Sequence, residues 1–263
     1  MNSSAITFIG GGNMGSALVG GLINKGWSPG LITVVELSAE RRAELSTMFP
    51  QINVSESAQS CESVVIAVKP DVAVEACRIA ALAGAKRVLS IAAGISIDAL
   101  QRVCGDATAV IRAMPNTPAL IGQGAAAISF SPHSSESDIA WAQEVLESVG
   151  TVVRVPETQM DSVTAISGSG PAYVFLLAEV LIDESIRQGL DPIVADLLVR
   201  QLLVGSSALL STSAQTPAVL REQVTSPNGT TSAAIEALER AGFREAFSTA
   251  IAAAVRRSRE LGS

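Results

Sequence analysis

The 263-residue sequence predicts an α/β domain built on a doubly wound, mainly parallel sheet, followed by an all-helical domain. Three observations carry this. Short apolar runs alternate with helical patterns up to Pro156, a Gly-rich turn opens the first helix, and beyond Pro156 the apolar period lengthens to that of a helix. The expected division is therefore residues 1–156 and residues 157–263.

The elements follow in order. "AITFIG" is a first strand running into "GGGNMGSALVGGLINKG", a turn that opens a helix. "LITVVE" is a second strand, "AERRAELSTMF" a helix, and "SVVIAVKP" and "RVLSIAAG" are buried strands. "AVIRAMPNTP", "GAAAISF" and "TVVRVPE" add further short apolar runs. In the second half, Tyr173, Leu177, Val180, Leu181 and Glu184 share one helical stripe, which makes Tyr173 a core residue first. Asp191 before Pro192 and Thr216 before Pro217 each pair an N-cap with a proline at the first helical position. Gly242 closes the helix "SAAIEALERA". These helices are more apolar than a lone bundle of their size requires, which predicts burial against a second subunit.

Composition narrows the function. Apolar residues make up 48% but aromatic residues only 3%, so the core is aliphatic and Ala-rich. The formal charge of −7 argues against nucleic acid as a partner. The N-terminus lacks a basic segment followed by a long apolar one, and no unbroken run of eighteen apolar residues occurs. The expectation is therefore a cytoplasmic protein without a signal peptide or membrane span. Cys61, Cys77 and Cys104 are expected as buried, reduced thiols, and no Cys/His cluster suggests a metal.

Gly10, Gly12 and Gly15 form G-x-G-x-x-G between a strand and a helix, the context in which this motif binds a dinucleotide. The first domain is thus expected to be of Rossmann type. The first glycine makes the tight turn, the second lets the backbone approach a pyrophosphate, and the third packs helix on strand. Glu36, at the end of the second strand, would accept from a ribose 2′-hydroxyl, which points to NAD(H). Arg41 and Arg42 follow, either as a solvated helix face or as partners of the 2′-phosphate of NADP(H); the choice between the two cofactors stays open.

The second half is short of the proton donors that carbonyl reduction commonly uses. Lysine occurs only at Lys25, Lys69 and Lys86, and the single histidine, His133, lies in a polar loop that reads as surface. Reducing a carbonyl needs a proton donor at oxygen, commonly His, Lys or Tyr. An imine nitrogen is more basic and can arrive protonated, so hydroxyls and backbone N–H groups suffice to orient it. That argues against a hydroxy-acid dehydrogenase and for imine reduction. The stretch "TSPNGTT", residues 225–231, then has a purpose. Pro227, Asn228 and Gly229 make a tight turn in which both Asn and Gly tolerate positive φ, and Thr230 and Thr231 begin a helix whose free N–H groups and dipole suit a carboxylate. An ordinary Thr-capped helix after a turn would read the same.

The chain resembles pyrroline-5-carboxylate reductase over nearly its whole length, through "FIGGGNMGSAL", "AVKP", "SIAAGIS", "RAMPNTP", "SGSGPAYVF" and "TSPNGTT". The resemblance implies NAD(P)H-dependent reduction of 1-pyrroline-5-carboxylate to L-proline. It places Gly10, Gly11, Gly12, Asn13 and Met14, then Val68, Lys69 and Pro70, and the turn Ala92, Ala93, Gly94 along the dinucleotide, with Asn116 near the nicotinamide. It places Thr230 and Thr231 at the substrate's carboxylate and nitrogen, with Ser226, Gly229 and Glu157 alongside, and makes Thr231 the catalytic residue that orients the nitrogen. It also implies helical domains interlocked into dimers, which often form decamers, with the active site between one subunit's nucleotide domain and helical elements at the dimer interface. Two departures stand out: Asn228-Gly229 replaces a common Gly-Gly, and Glu36 stands where a small polar residue often accompanies NADPH preference.

Overall fold

The computed structural model describes residues 4–262; Met1–Ser3, on which part of the reading of the N-terminus rests, and Ser263 lie outside them. Among the described residues, backbone contacts divide the chain into one unit of residues 4–169 with 254–262, and a second of residues 170–253. The contact boundary thus falls later than Pro156, and the end of the chain returns to the first unit.

The first unit alternates strands and helices: β1 (Ile6–Ile9), α1 (Asn13–Asn24), β2 (Ile32–Val35), α2 (Ala39–Met48), β3 (Asn53–Ser55), β4 (Ser63–Ile66), α3 (Pro70–Leu82), β5 (Arg87–Ser90) and α4 (Ile97–Cys104). It continues with β6 (Ala109–Met114), β7 (Gly124–Phe130), α5 (Glu136–Glu147), β8 (Gly150–Arg154) and the short α6 (Met160–Val163). All eight strands form one sheet in the order β3-β2-β1-β4-β5-β6-β7-β8. Every pairing is parallel except β6 with β7, which is antiparallel.

Period-two alternation explains why helices cover both faces. Phe8, Val34, Val65, Leu89 and Ile111 pack on one face with Leu18 and Leu22 of α1 and Trp141 and Val145 of α5. Their neighbours Val35, Val64, Ile66, Val88 and Val110 pack on the other face with Ala73, Cys77 and Ala80 of α3 and Leu100 of α4. Each fully buried aliphatic side chain contributes about 1.5–3 kcal/mol, so two such layers account for a rigid platform. The strand order reverses between β1 and β4, the point at which open α/β sheets bind ligands beyond the carboxyl ends of their strands. The three cysteines are buried and unpaired by disulfides. Burial pushes the Cys61 thiol up, and a hydrogen bond with Cys104 together with burial does the same to Cys77.

The second unit holds α7 (Gly170–Arg187), α8 (Pro192–Thr212), α9 (Pro217–Gln223), α10 (Thr230–Arg240) and α11 (Phe243–Leu261) as far as Ala253. Its predicted caps form. Asp191 accepts from Ile193 and Val194 N–H, Thr216 accepts from Val219 N–H, and Gly242 ends α10 at φ +76°. Tyr173 stacks edge-on against Phe247, with ring centroids 6.4 Å apart. It is only half-buried rather than a core residue, because α7 buries no side chain fully. Phe175 is 67% exposed, Leu197 63% and Val204 64%, far more apolar surface than a solitary unit keeps in water.

The stretches Glu157–Arg187 and Pro192–Thr212 are long and apolar enough, by length and composition, to cross a membrane. Counting only unbroken apolar runs hid this, because single charges such as Glu179 and Asp196 interrupt both stretches.

Candidate active site

The glycine-rich turn follows β1 directly. Gly10 takes φ +105°, and a Cβ there would lie 2.5 Å from the carbonyl oxygen of Ala67, just past β4. A Cβ on Gly15 would lie 2.6 Å from the Gly10 oxygen, so α1 comes as close as a glycine allows. Gly12 is different: a Cβ there would meet nothing within 4 Å. Gly12 thus leaves open space at the start of α1, the position at which the glycine-rich motif lets a backbone approach a pyrophosphate. Asn13 sits in the first turn of α1 and lines a groove of about 550 Å³ with Ser16, Arg41 and Leu120. Met14 instead packs partly against the core.

Helix starts differ in how their first N–H groups are satisfied. Ser38, Ser96, Ser135, Asp191 and Thr216 cap α2, α4, α5, α8 and α9 with their side chains. Gly12, Lys69 and Gly229 precede α1, α3 and α10, and no side chain caps these three or the single-turn α6 among the described residues. First-turn N–H groups lack intrahelical acceptors, so these three starts have donors to offer to an anion. Val68 and Lys69 lead into α3, with Pro70 at its first position where no N–H is needed.

Glu36 lies one residue beyond β2. Its Oε2 accepts from Gly11 N–H and its Oε1 from Ser38 N–H, both at 3.0 Å. The carboxylate is thereby aimed at the loop. Arg41 and Arg42 are not a solvated helix face. Arg42 Nη1 donates to the carbonyls of Glu36 and Leu37, and Arg41 Nε donates to that of Gly11. Tertiary partners outcompete water here because four backbone oxygens and hydroxyls converge within reach of two guanidinium forks.

The turn Ala92–Gly94 follows β5, with Gly94 at φ +79° and a would-be Cβ 3.4 Å from the Leu261 backbone. Asn116 has both ends of its amide occupied. Its Nδ2 donates to Ser167 O at 3.1 Å, and its Oδ1 accepts from Ala125 N at 2.8 Å. Met114 touches Gly168 so closely that any Cβ there would collide with its Cε. Residues Thr164–Gly168 form a π-turn, a distortion common at functional sites.

Glu157 is likewise engaged: its Oε1 accepts from Ile97 N–H at 2.7 Å and from Arg112 Nη1 at 3.1 Å. Arg112 is 7% exposed, and sequence reasoning missed it. The signal was present, since an arginine in the middle of the apolar run "AVIRAM" demands a buried partner.

In the second unit, Asn228 rather than Gly229 takes the left-handed conformation, at φ 57°. Gly229 is extended at φ −84°, ψ 174°, and its N–H donates to Ser226 O at 3.1 Å. Of the two residues that tolerate positive φ only Asn228 adopts it: one left-handed residue completes the turn, and Gly229 is already the N-cap. Ser226 and Thr230 are exposed and Thr231 half-buried, at a helix start with no acid or base within the turn. His133 lies on the surface, 3.6 Å from Asp106.

Comparison with known proteins agrees over the full chain. A family model described as pyrroline-5-carboxylate reductase dimerisation matches residues 157–261, and one described as NADP oxidoreductase, coenzyme F420-dependent, matches residues 5–94. The pyrroline-5-carboxylate reductase of Synechocystis sp. is 41% identical, covering 99% of both chains. That of Arabidopsis thaliana is 35% identical, covering 98% of this chain and 96% of its own. Among solved structures, the pyrroline-5-carboxylate reductase of Coxiella burnetii superposes with a TM-score of 0.93 at 35% identity, over 100% of both chains. The Plasmodium falciparum pyrroline carboxylate reductase with NADP bound gives 0.87 at 30% identity, again over 100% of both.

Proposed function

The chain belongs to the pyrroline-5-carboxylate reductase family, and from that premise we propose how its own residues divide the work of reducing 1-pyrroline-5-carboxylate to L-proline with NAD(P)H. The observation that carries this reading is the start of α10, an uncapped helix N-terminus bearing two threonines and no acid or base. The substrate carboxylate takes the N–H groups of the first turn of α10, where the helix dipole favours an anion. Ser226, Gly229 and Thr230 shape this cradle, and the Thr231 hydroxyl orients the imine nitrogen. Glu157 supports the site from its bonds to Arg112 and Ile97.

A bound nicotinamide supplies the hydride, which the imine carbon receives. The loop Gly10–Met14, with Val68, Lys69, Pro70, Ala92, Ala93, Gly94 and Asn116, holds the dinucleotide. No protein acid is required, because the protonated imine brings its own proton.

The exposed apolar faces of α7 and α8 are assigned to a second copy of the chain rather than to lipid. Glu179 and Asp183 on α7, and Asp196 and Arg200 on α8, would otherwise lie at membrane depth. A homo-oligomer of interlocked dimers, extending to a decamer and located in the cytoplasm, fits this assignment and the dimerisation match. The division after Pro156 into nucleotide and helical domains agrees with the start of that match at Glu157.

The test is NADH and NADPH oxidation with pyrroline-5-carboxylate, run side by side. A protein that binds cofactor yet turns over no cyclic imine would be a nucleotide-binding scaffold, and the reading would fall. Glu36→Ser is expected to raise the NADPH-to-NADH ratio of kcat/KM by about tenfold or more, because a carboxylate beside the 2′-position repels a phosphate. An unchanged ratio would remove Glu36 from the cofactor site.

A further inference from the structure

Gly11 lies between two opposite charges. Its N–H donates to Glu36 Oε2 at 3.0 Å, and its carbonyl accepts from Arg41 Nε at 2.7 Å. The same carbonyl accepts from Ser16 Oγ at 3.1 Å, and Arg41 Nη2 donates to that Oγ at 2.7 Å. Arg41 is itself held in place. Its Nη1 meets Glu44 at 2.6 Å, and its backbone N–H donates to the capping Ser38 Oγ at 3.2 Å. The end of β2 and the first turns of α1 and α2 are thus tied to one residue of the dinucleotide loop. Packing reinforces the tie, since a Cβ on Gly11 would collide with Leu45 Cδ1 and lie 3.2 Å from Val34 Cγ1.

We propose that Glu36 and Arg41 form a charge clamp that presets the backbone on both sides of Gly11 for dinucleotide binding, with Arg41 a positioning residue and not a ligand of the 2′-phosphate. The inference rests on the reading that this loop receives the dinucleotide. Hydrogen bonds to ionised partners are roughly twice as strong as neutral ones, and here one anion and one cation pull on adjacent peptide groups in opposite senses. A loop held this way spends less ordering entropy when the pyrophosphate arrives. The Arg41 side chain is 24% exposed, so solvent screens the clamp only in part. Lysine cannot replace the guanidinium, because reaching a carbonyl and a hydroxyl together needs its planar fork.

The experiment uses the full-length protein and the variants Arg41→Met and Arg41→Lys, with Kd for NADH and NADPH, kcat at saturating cofactor, and amide exchange of residues 10–16 without cofactor. Both variants should raise Kd for the two cofactors by a similar factor, about tenfold, with kcat little changed and exchange of the loop accelerated. Loss of affinity for NADPH alone would make Arg41 a phosphate ligand and overturn the clamp. Unchanged Kd and unchanged exchange would overturn it equally. Wild-type protein that binds neither cofactor would instead sink the dinucleotide reading, and the exchange measurement would still decide whether Arg41 restrains the loop. A thermal melt checks that each variant is folded; if Arg41→Met is not, Arg41→Lys keeps the aliphatic stem and the charge and carries the test.

Discussion

Gly229→Val is expected to lower kcat/KM by more than about a hundredfold, at 1.36 kcal/mol for each factor of ten. The cause is space and not backbone strain. Gly229 is extended, a conformation open to any residue, but a Cβ there would collide with Ser226 Oγ and lie 3.2 Å from the Ser226 carbonyl. Valine adds two methyl groups to that overlap. Either the Ser226 turn moves or the first N–H groups of α10 do, and in both cases the carboxylate loses its donors. Gly229→Ala should be milder, because the short Ser226 side chain can rotate aside. Steady-state kinetics and cofactor titration on both variants check this. Cofactor affinity should hold while the KM for pyrroline-5-carboxylate rises, and near-wild-type efficiency of the valine variant would place the substrate site elsewhere.

Thr231→Ala is expected to lower catalytic efficiency by roughly tenfold to a hundredfold, the cost of about 1–3 kcal/mol for a hydrogen bond to the nitrogen made in the transition state. Stability should move the other way. The cap of α10 is Gly229 and involves no side chain, so no capping bond is lost, and alanine is the better helix former by about 0.5 kcal/mol. A melting temperature equal to or above wild type, together with impaired turnover and unchanged cofactor Kd, is a combination that a purely structural threonine cannot produce. Unimpaired turnover would mean that the hydroxyl does not touch the substrate.

Legibility varied along the chain for identifiable reasons. The caps at Asp191 and Thr216 were readable because an N-cap, the proline after it and the N–H groups it accepts from all lie within one helical turn. The parallel sheet was readable because buried strands must be apolar on both faces, as "SVVIAVKP" is. The choice between Asn228 and Gly229 for the left-handed position was not readable, since both residues tolerate it and only the path of the chain into α10 selects one. The exposed apolar faces of α7 and α8 were anticipated from composition. Their length and hydropathy as continuous helices became evident only when isolated charges were read within whole helical windows.

By itself, then, the sequence determined the order of strands and helices, the glycine spacing between β1 and α1, and the absence of lysine and histidine from the second half. All of these are properties of near neighbours or of composition. Only the tertiary structure decided what the charged and amide side chains do. Glu157 reaches Ile97 and Arg112, 60 and 45 residues away, Asn116 reaches Ser167 across 51, and Arg41 reaches Gly11 across 30. Such partners become adjacent only when elements distant in sequence are brought together by the fold. A buried or half-buried polar group then takes whatever donor or acceptor that pairing brings within about 3 Å, because leaving it unsatisfied costs more than any local preference supplies.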